Sequence, residues 1–256
     1  MTTIFSKALV AAALTVSAAG ALAGENVSEG RAVDARVVKV KLSGVINLNI
    51  KQGATPSLTL FGERDLLNKV SVSQSGDTLT IDTDKRNGWN FGRDKHELRA
   101  ELTLPNLNEF ISTGVGASEV RGFTGNDVKV IRDGAGSVIV SSNYKNVSAR
   151  RGGVGSMTLN SGAADNVELN MRGAGQISVN GNAKLLRASL GGVGSLDARK
   201  LQADSVELDM SGLGGASVYA KSSANLKLSG LGSATVYGKP TNRVSTARGL
   251  GSVSWQ

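Results

Sequence analysis

Apolar and polar residues alternate with a period of two from Val33 to Ile81. The clearest runs are Val38–Leu42, Ile46–Ile50, Leu58–Leu60, Val70–Val72 and Leu79–Ile81. That period is the signature of strands with one face buried. Turn chemistry separates the runs at Ser43-Gly44, Gln52-Gly53, Phe61-Gly62 and Ser75-Gly76-Asp77. Asp65-Leu66-Leu67-Asn68 reads as a short helical turn. Asp82 to Lys95 is polar and reads as a protruding loop. Leu98, Ala100, Leu102 and Leu104 then form one more alternating strand, closed by Pro105.

From Leu107 onward the alternation is locked to a repeat. Gly-x-Gly occurs with its first glycine at 114, 134, 153, 173, 192, 212, 230 and 249, in steps of 18 to 20 residues. A fixed period near twenty marks a solenoid. Apolar residues recur six, four and two positions before each motif, as in Val167, Leu169 and Met171, and four and six positions after its first glycine, as in Met157 and Leu159. Each coil is therefore two short strands meeting at a glycine corner. The middle residue of every motif is Ala, Val or Leu, and its apolar character predicts that it points inward. Membrane-barrel strands need ~9–11 residues, longer than these. Leucine-rich repeats carry a leucine/asparagine signature and a helical half that are missing here. The fold class is all-β, a single-stranded parallel β-helix with 19–20 residues in most coils, less regular over 33–106 and regular over 107–256. Trp255 falls six places after the last motif's first glycine, where a large ring would lid the core.

Composition narrows the function. The chain has 33 Gly, but the repeat accounts for their placement, so low complexity is not implied. Lys7, the apolar run Ala8–Ala19 and Ala21-Leu22-Ala23 form a signal-peptide pattern over 1–23, which predicts export from a bacterial cell. The expected locations are the periplasm, the cell surface or the medium. The apolar run is too short to span a bilayer, and no other segment is long and apolar. There is no Cys, so neither a disulfide nor a lipid anchor at cysteine is available. Beyond residue 23 there are 28 basic residues (29 less Lys7) against 21 acidic ones, a net charge of +7 that favours anionic surroundings. No basic run exceeds two residues, and nucleic acid is not an expected partner.

Most candidate chemistry resolves into scaffolding. His96 is the single histidine, so histidine triads and multi-histidine metal sites are excluded. The Gly-x-Gly motifs do not extend to a phosphate-binding fingerprint, and Met157 and Leu196 stand where a calcium-binding repeat requires Asp. No catalytic residue, metal or cofactor is implied. Asp165, Lys184 and Asp204 share one place on three successive coils, and Glu168, Arg187 and Glu207 share another. Both sets predict cross-coil charge ladders. The inward pattern breaks two places before the motif, where Arg132 and Arg151 replace Met171, Leu190, Met210 and Leu228. Burying unpaired charge is costly. These strands are therefore expected to end early and expose a basic strip of Arg132, Arg150, Arg151 and Arg172, the candidate ligand-binding residues for an anionic polysaccharide.

The N-terminal block also resembles a known family. The carrying residues are Leu42-Ser43-Gly44-Val45, Ile46–Gly53, Leu66–Val70, Gly76–Ile81, Leu102–Leu107 and Ser112–Gly116. Over about residues 33–256 the chain resembles the putative auto-transporter adhesin family, head GIN domain. The Pro-x-Leu strand followed by the first Gly-x-Gly is the most specific part. The resemblance implies an exported, right-handed β-helix and an adhesion role. No C-terminal membrane barrel accompanies it. Three readings follow: a non-enzymatic adhesion or envelope-interaction module, a polysaccharide lyase or hydrolase of the same architecture, and a periplasmic scaffold with a protein partner. Uncapped ends would add self-association.

Overall fold

A computed structural model describes residues 26–83 and 98–256. The expected signal peptide, His96 and nearly all of the 82–97 loop lie outside those residues. Among the described residues seventeen strands join in one sheet that coils for about seven turns. They run β1 (Asn26–Arg31), β2 (Lys39–Leu42), β3 (Asn47–Gln52), β4 (Ser57–Glu63), a single helical turn α1 (Arg64–Leu67), β5 (Val70–Ser75), β6 (Thr78–Thr83), β7 (Arg99–Leu104) and β8 (Glu109–Ser112). Then come six long strands, β9 (Val115–Arg132), β10 (Ala135–Arg151), β11 (Val154–Met171), β12 (Ala174–Leu190), β13 (Val193–Met210) and β14 (Leu213–Leu228), followed by β15 (Leu231–Tyr237), β16 (Asn242–Ala247) and β17 (Ser252–Trp255).

Each long strand is one coil, and each pairs in parallel with the coils before and after it. Val138 lies on Met157, Met157 on Ile177, and Ile177 on Leu196. A register shift halfway along each strand makes the second bend. The predicted core positions are buried throughout, from Val120 to Val236. Alternation puts every second side chain inside, and neighbouring rungs stack at about 4.8 Å, so the core is a set of aliphatic columns.

The corners explain the glycines. The second glycine of the motif takes a left-handed φ, +133° at Gly155 and +136° at Gly175. A Cβ on Gly155 would lie 1.9 Å from the Gly136 carbonyl oxygen, and one on Gly153 would lie 1.8 Å from that of Gly134. Backbones are packed so closely here that no side chain fits. The middle residue's N–H donates to the first glycine's carbonyl one rung below, as from Val154 to Gly134 (3.1 Å) and from Ala174 to Gly153 (3.1 Å).

The N-terminal region differs from a simple continuation of the coils. β2 and β3 lie inside the stack, between β8–β9 on one side and β6–β7 on the other. β1, β4 and β5 then run antiparallel, β1 on β4, β4 on β7, and β5 on β6. Phe61-Gly62, expected as a turn, lies within β4, and Asp82 belongs to β6 rather than to a loop. These antiparallel strands close the end of the core over Leu58, Leu60 and Leu67, all buried. At the other end the inward places of β16 are Arg243, Ser245 and Ala247, opposite Ala224, Leu226 and Leu228. Arg243 stands over the Trp255 ring, 5.5 Å from its centroid, and Trp255 packs against the core. The ring and guanidinium together cover the last rung, as its position in the repeat predicts.

Candidate functional site

The four arginines expected to form one strip are divided by the fold. Arg132 and Arg151 are not exposed. Both are 1% accessible and point inward, stacked on each other and between Ser112 and Met171. The strands do not end early; alternation continues through both positions. Their guanidinium groups lie beneath the glycine corners. Arg132 donates to the carbonyl oxygens of Gly116 (3.1 Å) and Ala135 and to the Ser112 hydroxyl, and Arg151 to those of Gly155 (2.6 Å) and Ala174 (2.5 Å). Backbone carbonyls thus replace carboxylates as partners. Burial pushes both guanidinium pKa values down, and the Arg151 charge adds to the effect on Arg132. Arg132 Nε and Arg151 Nη1 are left without partners.

Arg150 and Arg172 are exposed on neighbouring coils. Arg150 sits beside Asn170 in the sheet register and extends a shallow groove on the outer face. The groove has a volume of about 280 Å³ and is lined by outward side chains two columns wide, Glu168 with Asn170, Arg187 with Ser189, Glu207 with Asp209, and Asn225 with Lys227. Its charges are organised as predicted. Glu168, Arg187 and Glu207 stand in register, and Arg187 Nε donates to Glu207 Oε2 at 2.8 Å. In the neighbouring ladder Lys184 Nζ lies 2.6 Å from Asp165, which holds that carboxyl below the usual range. Lys221 meets Asp204 at 3.3 Å. A hydrolase keeps its acid protonated by burial, whereas Glu168, Glu207 and Asp209 are all exposed. Among the described residues no three His, Cys, Asp or Glu side chains cluster to hold a metal.

A second outer surface lies at the corners, and its residues contradict an expectation. The middle residues of the motifs point outward. Val115, Val154, Val193, Leu213 and Leu231 are 46–64% exposed, and Ala135 and Ala174 are exposed between them. They form a continuous aliphatic ridge, one residue per rung. On the far side of the same coils, amides stack in a third column, where Asn180 donates to Asn160 (2.8 Å) and Asn160 to the Ser141 hydroxyl (3.0 Å).

Comparison with known proteins places this geometry. A search of curated proteins returned no match. Among solved structures, a putative adhesin from Bacteroides fragilis superposes with a TM-score of 0.66 at 21% identity, covering 91% of this chain and 97% of that one. A putative adhesin from Parabacteroides distasonis gives 0.75 at 20% identity, covering 91% and 98%. A structure described as a putative lipid binding protein from the same species gives 0.76 at 19% identity, covering 90% and 96%. These likenesses carry the fold. The sequence itself carries the membership: over residues 38–240 the chain belongs to the family described as putative auto-transporter adhesin, head GIN domain.

Proposed function

We propose that the chain is an exported, non-enzymatic adhesion module whose outer groove holds an extended, anionic cell-envelope glycan. The observation that carries this reading is the groove's periodicity. It presents guanidinium, amide, hydroxyl, carboxylate and ammonium groups on successive rungs about 4.8 Å apart, from Arg150 through Asn170, Ser189 and Asp209 to Lys227, a spacing close to the length of one pyranose unit. Asn170, Ser189 and Asn225 supply hydrogen bonds to hydroxyls, and Arg150 and Lys227 bracket them with exposed positive charge. The rigid stack fixes these groups before the ligand arrives, which limits the ordering cost of binding. Family membership supports the adhesion role, and the net charge of +7 beyond residue 23 favours an anionic partner. Of the four arginines read from the sequence, Arg150 remains in this surface; Arg172 stands one column nearer the corner.

The test is a panel of neutral, uronic and sulfated glycans, with turnover measured alongside binding. Binding to the anionic members is expected, without turnover, and Arg150→Ala with Lys227→Ala should weaken it by about tenfold or more. Affinity unchanged in that variant would remove the groove from the reading. Cleavage of any panel member would replace the adhesion module with an enzyme.

A further inference from the structure

The corner ridge is a continuous apolar row on the surface, and among the described residues its large members are left 46–64% exposed. An exposed aliphatic row of this length marks a contact surface. We propose that it joins two copies of this chain side by side, antiparallel, across their Gly-x-Gly corners. The proposal rests on the ridge alone and is independent of the glycan reading.

Two observations select a second copy as the occupant. The first is the order of sizes along the row, Val115, Ala135, Val154, Ala174, Val193, which alternates large and small over five successive rungs. Turned end for end and displaced by one rung, the four rungs from Ala135 to Val193 complement themselves, with Val115 meeting the second copy's Leu213 at either end. Val154 faces the second copy's Ala174, and Val193 faces the second copy's Ala135. A two-fold axis repeats each contact, so one fit is made twice. The second observation is the charge beside the row. Along the ridge from Val115 to Leu231 the residues just before the corners are Thr113, Asp133, Gly152, Arg172, Gly191, Ser211 and Ser229, and Arg248 precedes the last corner beyond it. Beside the ridge only Asp133 and Arg172 are charged, their signs are opposite, both are exposed, and neither makes an ion pair among the described residues. The same alignment brings Asp133 of one copy within a rung of the second copy's Arg172, on both sides of the axis. From Val115 to Leu231 the row is about 29 Å long at the usual strand spacing, which makes a narrow contact near the small end of specific interfaces. The dimer therefore dissociates on dilution.

Sedimentation velocity of the purified chain from about 1 to 100 µM tests this, a range suited to a small interface. A monomer–dimer equilibrium is expected. Val154→Asp with Val193→Asp should abolish it while leaving the circular dichroism spectrum and Tm unchanged, because both side chains are outside the core. Ala174→Leu, which fills the recess, should weaken association by about tenfold or more. The chain has no cysteine, so Val154→Cys mixed with Ala174→Cys gives a clean readout of alignment. The mixed disulfide should form faster than either like-with-like product. A monomer across the whole range overturns the proposal, as does a dimer that survives the double aspartate substitution. Faster like-with-like disulfides overturn the alignment. Co-sedimentation of a monomer with phosphatidylglycerol vesicles, lost in the aspartate variant, would reassign the ridge to a lipid surface and also overturn it.

Discussion

Met171 occupies on the next coil the inward place that Arg151 and Arg132 fill on theirs, and it needs no polar partner there. The corners above Leu190 and Met210 are built in the same way without a guanidinium beneath them. The arginines are therefore replaceable by an apolar side chain of similar length, and their desolvation is the larger energy term. Arg132→Met with Arg151→Met is expected to raise unfolding stability by about 1–4 kcal/mol in urea titrations, whereas the corresponding alanine pair, which leaves a void, should lower it by about 3 kcal/mol. Tyr144 is another buried residue that carries a polar group into the core. Its hydroxyl donates to the Leu107 carbonyl, and burial raises its pKa from about 10 to about 12. The unfolded chain loses this proton first, so the contribution is intact below pH 10 and lost as pH rises to about 12. Stability should fall in that window by about 1.4 kcal/mol per pH unit. Tyr144→Phe should abolish this slope in denaturation curves collected between pH 9 and about 12.

The corner is the element that makes the coil possible, and its tolerance is narrow. A methyl group on Gly175 would lie 2.0 Å from the Gly155 carbonyl oxygen, on a backbone held at a φ of +136°. Gly175→Ala should cost at least about 3 kcal/mol, measurable as a lower urea midpoint with the m-value unchanged. The corners and the core columns were legible in the sequence because both are periodic. Two further features obey the same parity against what their side-chain chemistry alone predicts. Inward places fall an even number of residues from the first glycine, so the arginines two places before it belong inside and the middle residue one place after it belongs outside. The cost of buried charge predicts the arginines at the surface, whereas backbone carbonyls satisfy their guanidinium groups inside. Apolar character predicts the middle residues inside, whereas the pleat turns them out. In a continuous β-coil, position outranks side-chain chemistry in deciding which way a residue faces.

At the scale of the whole molecule, legibility ends where pairing ceases to be local. The charge ladders follow directly from the repeat, and Arg187 meets Glu207 as counted. The groove does not follow, because it depends on which outward columns are long and which are short across several coils. Nor does the N-terminal closure: the alternation of β4, β5 and β6 identifies strands but cannot show that two run antiparallel, or that β2 and β3 end up between strands that follow them in the chain. All the irregular pairing lies at the ends, around a middle in which every coil makes the same joints. Excising residues 174–192 would bring Gly173 against Val193 and restore an intact Gly-Val-Gly. Such a chain keeps both lids and becomes one storey shorter. The molecule is thus a gauge graduated in single coils, and insertion or deletion of whole units can tune its reach without redesigning either terminus.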